Sequence, residues 1–208
     1  MPVKIIGCTF DGTKSGFGGA IYVNWASLTS DITIDDCTFK NIYVSNNGDA
    51  IYIDNAYKNK VSITDCTFTE CYSYYIHNAF TLYLDVGTLD CINNVINFTN
   101  PEKSDGCIYL SNPVTCVIKE CTFKNYRFDE SDTDIRVSGG IHCTLCPNLI
   151  SILIEKNTFD HVEGNNLGRV LLISEIEKGT VTYYNNTIKN CPAGGPLIRI
   201  VFKYDISD

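Results

Sequence analysis

Positive charge, long apolar runs and helical periodicity are all scarce in this chain. Lys and Arg together number 16 against 24 Asp and Glu, giving a formal net charge of −8 and a pI near 4.8. A surface that holds nucleic-acid phosphates needs clustered Lys and Arg, and docking on anionic lipid needs the same, so neither partner fits. No apolar run approaches the roughly 18 residues that a membrane span requires, which excludes membrane insertion by a helix. No segment repeats its apolar residues at 3.6-residue spacing, which argues against helices. A leader is also missing: Met1-Pro2-Val3-Lys4 runs directly into a repeat unit. The chain therefore reads as one domain, 1–208, that starts in mid-pattern and suits a place in a longer parent chain.

What is present is self-similarity. Cys8-Thr9-Phe10, Cys37-Thr38-Phe39, Cys66-Thr67-Phe68 and Cys121-Thr122-Phe123 are copies of one triplet, with weaker versions at Asn94-Val95-Ile96, Asn157-Thr158-Phe159 and Asn186-Thr187-Ile188. Their third residues are separated by 29, 29, 28, 27, 36 and 29 positions. Each copy is preceded by two apolar residues at period-two spacing, as in Ile32 and Ile34 or Val61 and Ile63. A second such pair follows: Ile21 and Val23, Ile51 and Ile53, Phe80 and Leu82, Ile108 and Leu110, Ile141 and Cys143, Leu171 and Ile173, Ile198 and Ile200. Period two means short strands with one face inward, and Gly, Asn and Asp between them mark turns. Such units cannot bury a core alone, but stacked units can. The pattern predicts an all-β chain, a right-handed parallel β-helix of about seven coils with a period of about 29 residues.

Stacking converts equivalent positions into columns. Cys8, Cys37, Cys66, Asn94, Cys121, Asn157 and Asn186 form an inward column, read as an amide ladder interleaved with small buried thiols. Most of the other cysteines also fall at core positions, with Cys71 and Cys191 in the slot of Ile42. Eleven is an odd number, against a complete disulfide framework. Cys143-Thr144-Leu145-Cys146 is a lone CxxC, short of the second pair that a zinc site requires. No metal and no cofactor is implied. Thr9, Thr38, Thr67, Val95, Thr122, Thr158 and Thr187 form an outward column suited to exposed strands. The row beside it (Lys4, Thr33, Ser62, Asp90, Val117, Leu153, Thr182) is too mixed for an ice-binding surface.

Two columns offer chemistry. Tyr22, Tyr52, Thr81 or Tyr83, Tyr109 and His142 form an outward aromatic column, whose rings would present flat apolar faces with polar tips to a sugar or a protein. Immediately before the triplets lie Gly7, Asp36, Asp65, Asn93, Glu120, Lys156 and Asn185. There Asp36 and Asp65 sit on neighbouring coils, roughly 5 Å apart, a spacing compatible with a retaining glycosidase pair or a Ca²⁺ site, though Asp and Asn are also ordinary turn residues. The long interval places a loop insertion at 126–140. It carries Asp129, Glu130, Asp132 and Asp134 but lacks the Gly and closing Glu of an EF-hand. Projecting loops of this kind serve partner or ion binding in other solenoids. Asn97-Phe98-Thr99 and Asn185-Asn186-Thr187 match the glycosylation tripeptide.

Phe10 with Gly18-Gly19-Ala20-Ile21-Tyr22-Val23, and Cys37-Thr38-Phe39-Lys40-Asn41 with Gly48-Asp49-Ala50-Ile51-Tyr52-Ile53, resemble the repeats of polymorphic outer-membrane proteins and related surface β-helix adhesins. That resemblance implies surface display and adhesion, at the cell surface or secreted, and brings no catalytic residues. The enzymatic β-helices are matched less well. Of the polygalacturonase motifs only Asp35-Asp36 is present, Arg199-Ile200 is followed by Val201, and no Gly-His-Gly occurs. The expectation is a non-enzymatic module for display, adhesion or assembly, with a protein or polysaccharide partner that meets Tyr22, Tyr52, Tyr83, Tyr109 and His142. A polysaccharide lyase or glycoside hydrolase of the pectate-lyase-like fold, working through Asp36 and Asp65, is the alternative. An intracellular scaffold is a third, favoured by free thiols. Neither terminal repeat shows an amphipathic cap, so end-to-end association is expected as well.

Overall fold

The computed structural model describes residues 2–24, 30–45, 48–73, 80–98, 106–126, 139–163, 169–192 and 195–203. All regular elements among them are strands, and all pairings are parallel. The chain is a parallel β-solenoid of about six turns with a period of about 29 residues. Seven strand levels bound those six turns, which reconciles them with the seven repeat copies.

Three ladders run along the stack. The first contains Val3–Ile6, Ile32–Asp35, Thr115–Lys119, Ser151–Glu155 and Thr180–Tyr184. The second contains Thr9–Asp11, Thr38–Val44, Thr67–Ser73, Val95–Asn97, Thr122–Lys124, Thr158–Asp160 and Thr187–Lys189. The third contains Ile21–Asn24, Gly106–Ser111, Ile141–Thr144, Leu171–Ile176 and Ile198–Phe202. Two long strands, Ile51–Thr64 and Phe80–Ile92, run through the third ladder and on into the first. They fuse these two ladders into one 12-stranded sheet, while the second ladder, with Lys14–Ser15 paired to Thr38–Val44, forms a separate sheet of 8 strands.

The turn chemistry explains the corners. Gly7, Asp36, Asp65, Asn93, Glu120, Lys156 and Asn185 all have φ between 51° and 63°. The column that holds Asp36 and Asp65 is thus one repeated left-handed corner. Asn41, Glu70, Asn125, His161 and Asn190 form a second such corner, and Asn55, Asn112, Leu145 and Glu175 a third. Asn and Asp tolerate this conformation and Gly enters it freely. Glu, Lys, His and Leu adopt it here because ladder hydrogen bonds on either side over-determine the backbone.

The inward rows make the core. Phe10, Phe39 and Phe68 stack in sequence at 4.9 and 4.7 Å, and Phe123 stacks on Phe159 at 4.9 Å. Ile96 interrupts that row, in register with Phe68 and Phe123. The Cys/Asn column is bonded to the backbone of adjacent coils. Asn94 Nδ2 donates to Ile63 O (2.7 Å), and its Oδ1 accepts from Cys66 N (2.9 Å). Asn157 repeats this with Ile118 O and Cys121 N, both at 2.9 Å, and Asn186 with Ile154 O and Asn157 N. Each amide satisfies a backbone donor and a backbone acceptor three residues apart on the preceding coil. Where Cys stands instead, its thiol donates to a carbonyl, as Cys66 does to Thr64 O at 3.1 Å. All eleven thiols are free, and all but Cys8 and Cys191 are buried.

One register differs from expectation. Leu82 and Leu84, rather than Phe80 and Leu82, align with Ile51 and Ile53. Phe80 lies opposite Gly106, where an added Cβ would come within 2.2 Å of its ring. The glycine vacates space that the displaced phenylalanine fills. At the two ends the inward residues are only partly covered: Ile5, Cys8, Phe10 and Val23 at one, Val181, Tyr183, Ile188, Cys191 and Ile198 at the other.

Candidate functional site

The third ladder carries the aromatic column. Its register aligns Tyr22 with Tyr52, Tyr52 with Tyr83, Tyr83 with Tyr109 and Tyr109 with His142. Tyr83 therefore occupies the outward slot, and Thr81 is fully buried. Alternation explains the choice: Leu82 and Leu84 point inward, so Tyr83 between them points out.

The rings stack on one another. Tyr22 and Tyr52 lie 5.3 Å apart at 13°, Tyr52 and Tyr83 4.6 Å at 6°, and Tyr83 and Tyr109 4.7 Å at 16°. His142 closes the row edge-on to Tyr109 at 5.4 Å, and Phe17 packs edge-on against Tyr52 at 5.5 Å. The flat faces expected to meet a ligand are thus covered by neighbouring rings. The coil spacing, roughly 4.8 Å, is close enough for each ring to cover the next. What faces outward is a row of ring edges and phenol hydroxyls. Tyr22 is exposed, whereas Tyr52, Tyr83, Tyr109 and His142 are half-buried.

Two residues further along each strand, on the same outward face, runs a polar row. Asn24 pairs in register with Asp54, Asp85 with Ser111, and Ser111 with Thr144. Asp54 and Asp85 follow the paired residues Ile53 and Leu84, close enough for the charge of Asp85 to act on Asp54. Asp85 is held in place: Tyr57 Oη donates to its Oδ2 at 2.6 Å and Asn112 Nδ2 to its Oδ1 at 3.0 Å. Ser174 Oγ continues the row by donating to Thr144 Oγ1 at 3.3 Å. None of Asp54, Asp85, Tyr57 and Asn112 was singled out from the sequence. The signal was available, since Asp54 stands two residues after Tyr52 and Asp85 two after Tyr83, and period two places each pair on one face.

Electrostatics define the character of this face. Burial is the main cause that pushes the Tyr52, Tyr83 and Tyr109 phenols up to about 12, with carboxylates of the site adding to it. Its hydrogen bond to Asp85 does the same for Tyr57, also to about 12. Burial pushes His142 down to about 4. At neutral pH the phenols keep their protons and His142 is uncharged. The carboxyl of Asp54 is raised, first by burial and then by the charge of Asp85. The face thus offers neutral hydroxyl donors beside carboxyl acceptors, and its column continues past His142 through Leu172 to the exposed Arg199.

Asp36 and Asp65 lie elsewhere. Both are exposed at the corner between the first and second ladders, with left-handed backbone. Asp65 accepts a hydrogen bond from Asn93 on the next coil at 2.5 Å. Neither is near the ring ladder in the coil. Asp129, Glu130, Asp132 and Asp134 of the insertion fall outside the described residues, whereas Tyr126 at its base is buried. Among the described residues no group of three or more His, Cys, Asp or Glu could hold a metal ion. No helix among them is long and apolar enough to cross a membrane. No family model matches the chain, and no curated protein or solved structure is significantly similar to it.

Proposed function

We propose that this solenoid is a non-enzymatic module for display, adhesion or assembly, which holds a neutral, hydroxyl-rich polysaccharide along its ring ladder. One observation carries the reading: a row of phenol hydroxyls runs in register beside a row of Asn, Asp, Ser and Thr side chains. A sugar polymer laid along the stack meets the same pair of rows from the Tyr22 coil to the His142 coil. Ring edges give it an apolar floor, hydroxyls donate, and Asp54 accepts, with Asp85 buried beside it and already held by Tyr57 and Asn112. Binding by ring-face stacking does not enter, because the faces are taken. The carboxyls beside the tyrosines and the net charge of −8 favour a neutral polymer over a uronate-rich one. The Gly-Ala-Ile coil pattern shared with outer-membrane repeat proteins supports display at a surface. The half-covered core at both ends suits continuation of the stack, by end-to-end assembly of copies or by further coils of a longer chain, and a strictly monomeric sedimentation profile would count against assembly.

The test is retention on a panel of neutral and acidic polysaccharides, with released product assayed alongside. Retention on neutral polymers, lost in Tyr52→Phe/Tyr83→Phe, is the expected result. Unchanged retention in that variant, or retention on acidic polymers alone, overturns it. A second reading, a glycoside hydrolase, draws on the Asp54 and Asp85 carboxyls brought close on neighbouring coils, since paired carboxyls can divide acid and base roles. Product that vanishes in Asp85→Asn would favour it, and product that vanishes in Asp65→Asn would return the chemistry to the corner column.

A further inference from the structure

Cys143 and Cys146 bracket the left-handed turn that follows the His142 end of the ladder. Their sulfurs lie 3.3 Å apart, the shortest sulfur–sulfur approach among the described residues. Both thiols are free and buried, and between them Leu145 is exposed at φ 54°. We infer that Cys143 and Cys146 are a dithiol site that closes to an intrachain disulfide on reaction with a low-molecular-weight disulfide.

The chemistry balances with that one oxidant. One thiol loses its proton and attacks a sulfur of the small disulfide, which forms a mixed disulfide and releases one small thiolate. The second thiol loses its proton and attacks the protein-side sulfur of the mixed disulfide. The Cys143–Cys146 bond forms, the mixed bond breaks, and the second small thiolate leaves. The two protons go to the two released thiolates.

Access is the remaining question, and the local hydrogen bonding answers it. Cys146 is attached to the stack by an isolated bridge to Ile176. Its N–H donates to Glu175 O at 3.3 Å, and its carbonyl accepts from Leu149 N at 3.4 Å. These are long bonds at the edge of a ladder, so the turn can open locally without unfolding the coils. Cys91 and Cys121 make the instructive contrast. Their sulfurs are 3.9 Å apart on different coils, and the Asn94 amide reaches both. That pair is held inside the stack by the amide ladder and has no turn that opens.

The experiment is incubation of the folded protein with oxidised glutathione, followed by alkylation under denaturing conditions and peptide mapping. The same mapping is done after refolding in a glutathione redox buffer, where access is not limiting. The expected result is a loss of two of the eleven thiols, with one bond mapped between Cys143 and Cys146 and absent in Cys146→Ser. Retention of all eleven thiols after refolding, or a bond mapped to Cys91 and Cys121 instead, overturns the inference. This test is independent of polysaccharide retention, so either can fail alone.

Discussion

Two columns of this solenoid, built on the same coils, use their register in opposite ways. In the Cys/Asn column the Asn amides meet backbone on a neighbouring coil and the thiols donate to carbonyls, so the side chains are consumed by the fold. In the Tyr column the rings consume one another's faces, while their hydroxyls remain outward beside a polar row in which Asp54 is half-buried and Asp85 and Ser111 are buried. An inward column can hold only residues that complete the hydrogen bonding of the stack. An outward column needs only to stack, and its polar tips are left for another molecule.

Breaking the inward column costs most. Asn157→Leu strands the Cys121 N–H and the Ile118 carbonyl, and a buried unpaired group costs about 1–3 kcal/mol. We expect a loss of about 3 kcal/mol, read as a fall in the urea midpoint. An unchanged midpoint would mean that the amide ladder does not carry the corner. Breaking the outward column costs less. Tyr83→Ala removes two ring contacts, each worth about 0.5–1.5 kcal/mol beyond burial, for about 2 kcal/mol in all. Tyr83→Phe keeps both contacts, so its midpoint should move by under about 0.5 kcal/mol while ligand retention falls. That split between stability and retention is the sharpest separation of the two columns.

The corner column lies between them in character. Lys156 sits at φ 56°, a conformation that costs a side-chain-bearing residue about 1–2 kcal/mol. Lys156→Gly removes that cost but adds backbone entropy to the unfolded chain, worth roughly 0.5–1 kcal/mol. A net gain of about 0.5 kcal/mol is the expectation, measured by urea or thermal midpoint. A clear loss would assign Lys156 a structural role through Glu120 and Glu155, which it approaches at 3.8 and 3.7 Å.

The smallest effect is one of pH, and it again divides outer positions from one another. Asp54 has a raised folded pKa, through burial and then Asp85. The folded chain binds that proton more tightly than the unfolded chain does. Its contribution is full below the unfolded carboxylate value near 3.8 and is lost as pH rises through the raised value. Asp160 has the reverse sign: hydrogen bonds from Asn190, then Lys189, lower its pKa, so its contribution is lost as the solution turns acid. Asp54→Asn should therefore be more stable than the parent at neutral pH, with the gap narrowing on acidification. A gap that widens would mean that Asp85 does not repel Asp54 in the folded state.

The residues that were readable in advance share one property. Ile32, Ile34, Phe39 and Cys37 were legible as inward, and Asp36 and Asn93 as turn positions, because alternation and left-handed tolerance belong to the local backbone. Tyr22, Tyr52 and Tyr109 were legible as one column for the same reason. Phe80 was misplaced by two residues because the connection before it differs in length from its neighbours, and a shift of two preserves alternation while moving the partner. The approach of Asp54 to Asp85 and the covering of each tyrosine face by the next ring are contacts between residues 26 to 31 positions apart. By itself the sequence determined which side chains face in, which face out and where the chain turns, since each follows from period two and from the φ a residue tolerates. Only the tertiary structure decided which outward side chains touch and which sulfurs approach, because those depend on how far each connection carries one coil before it settles on the next.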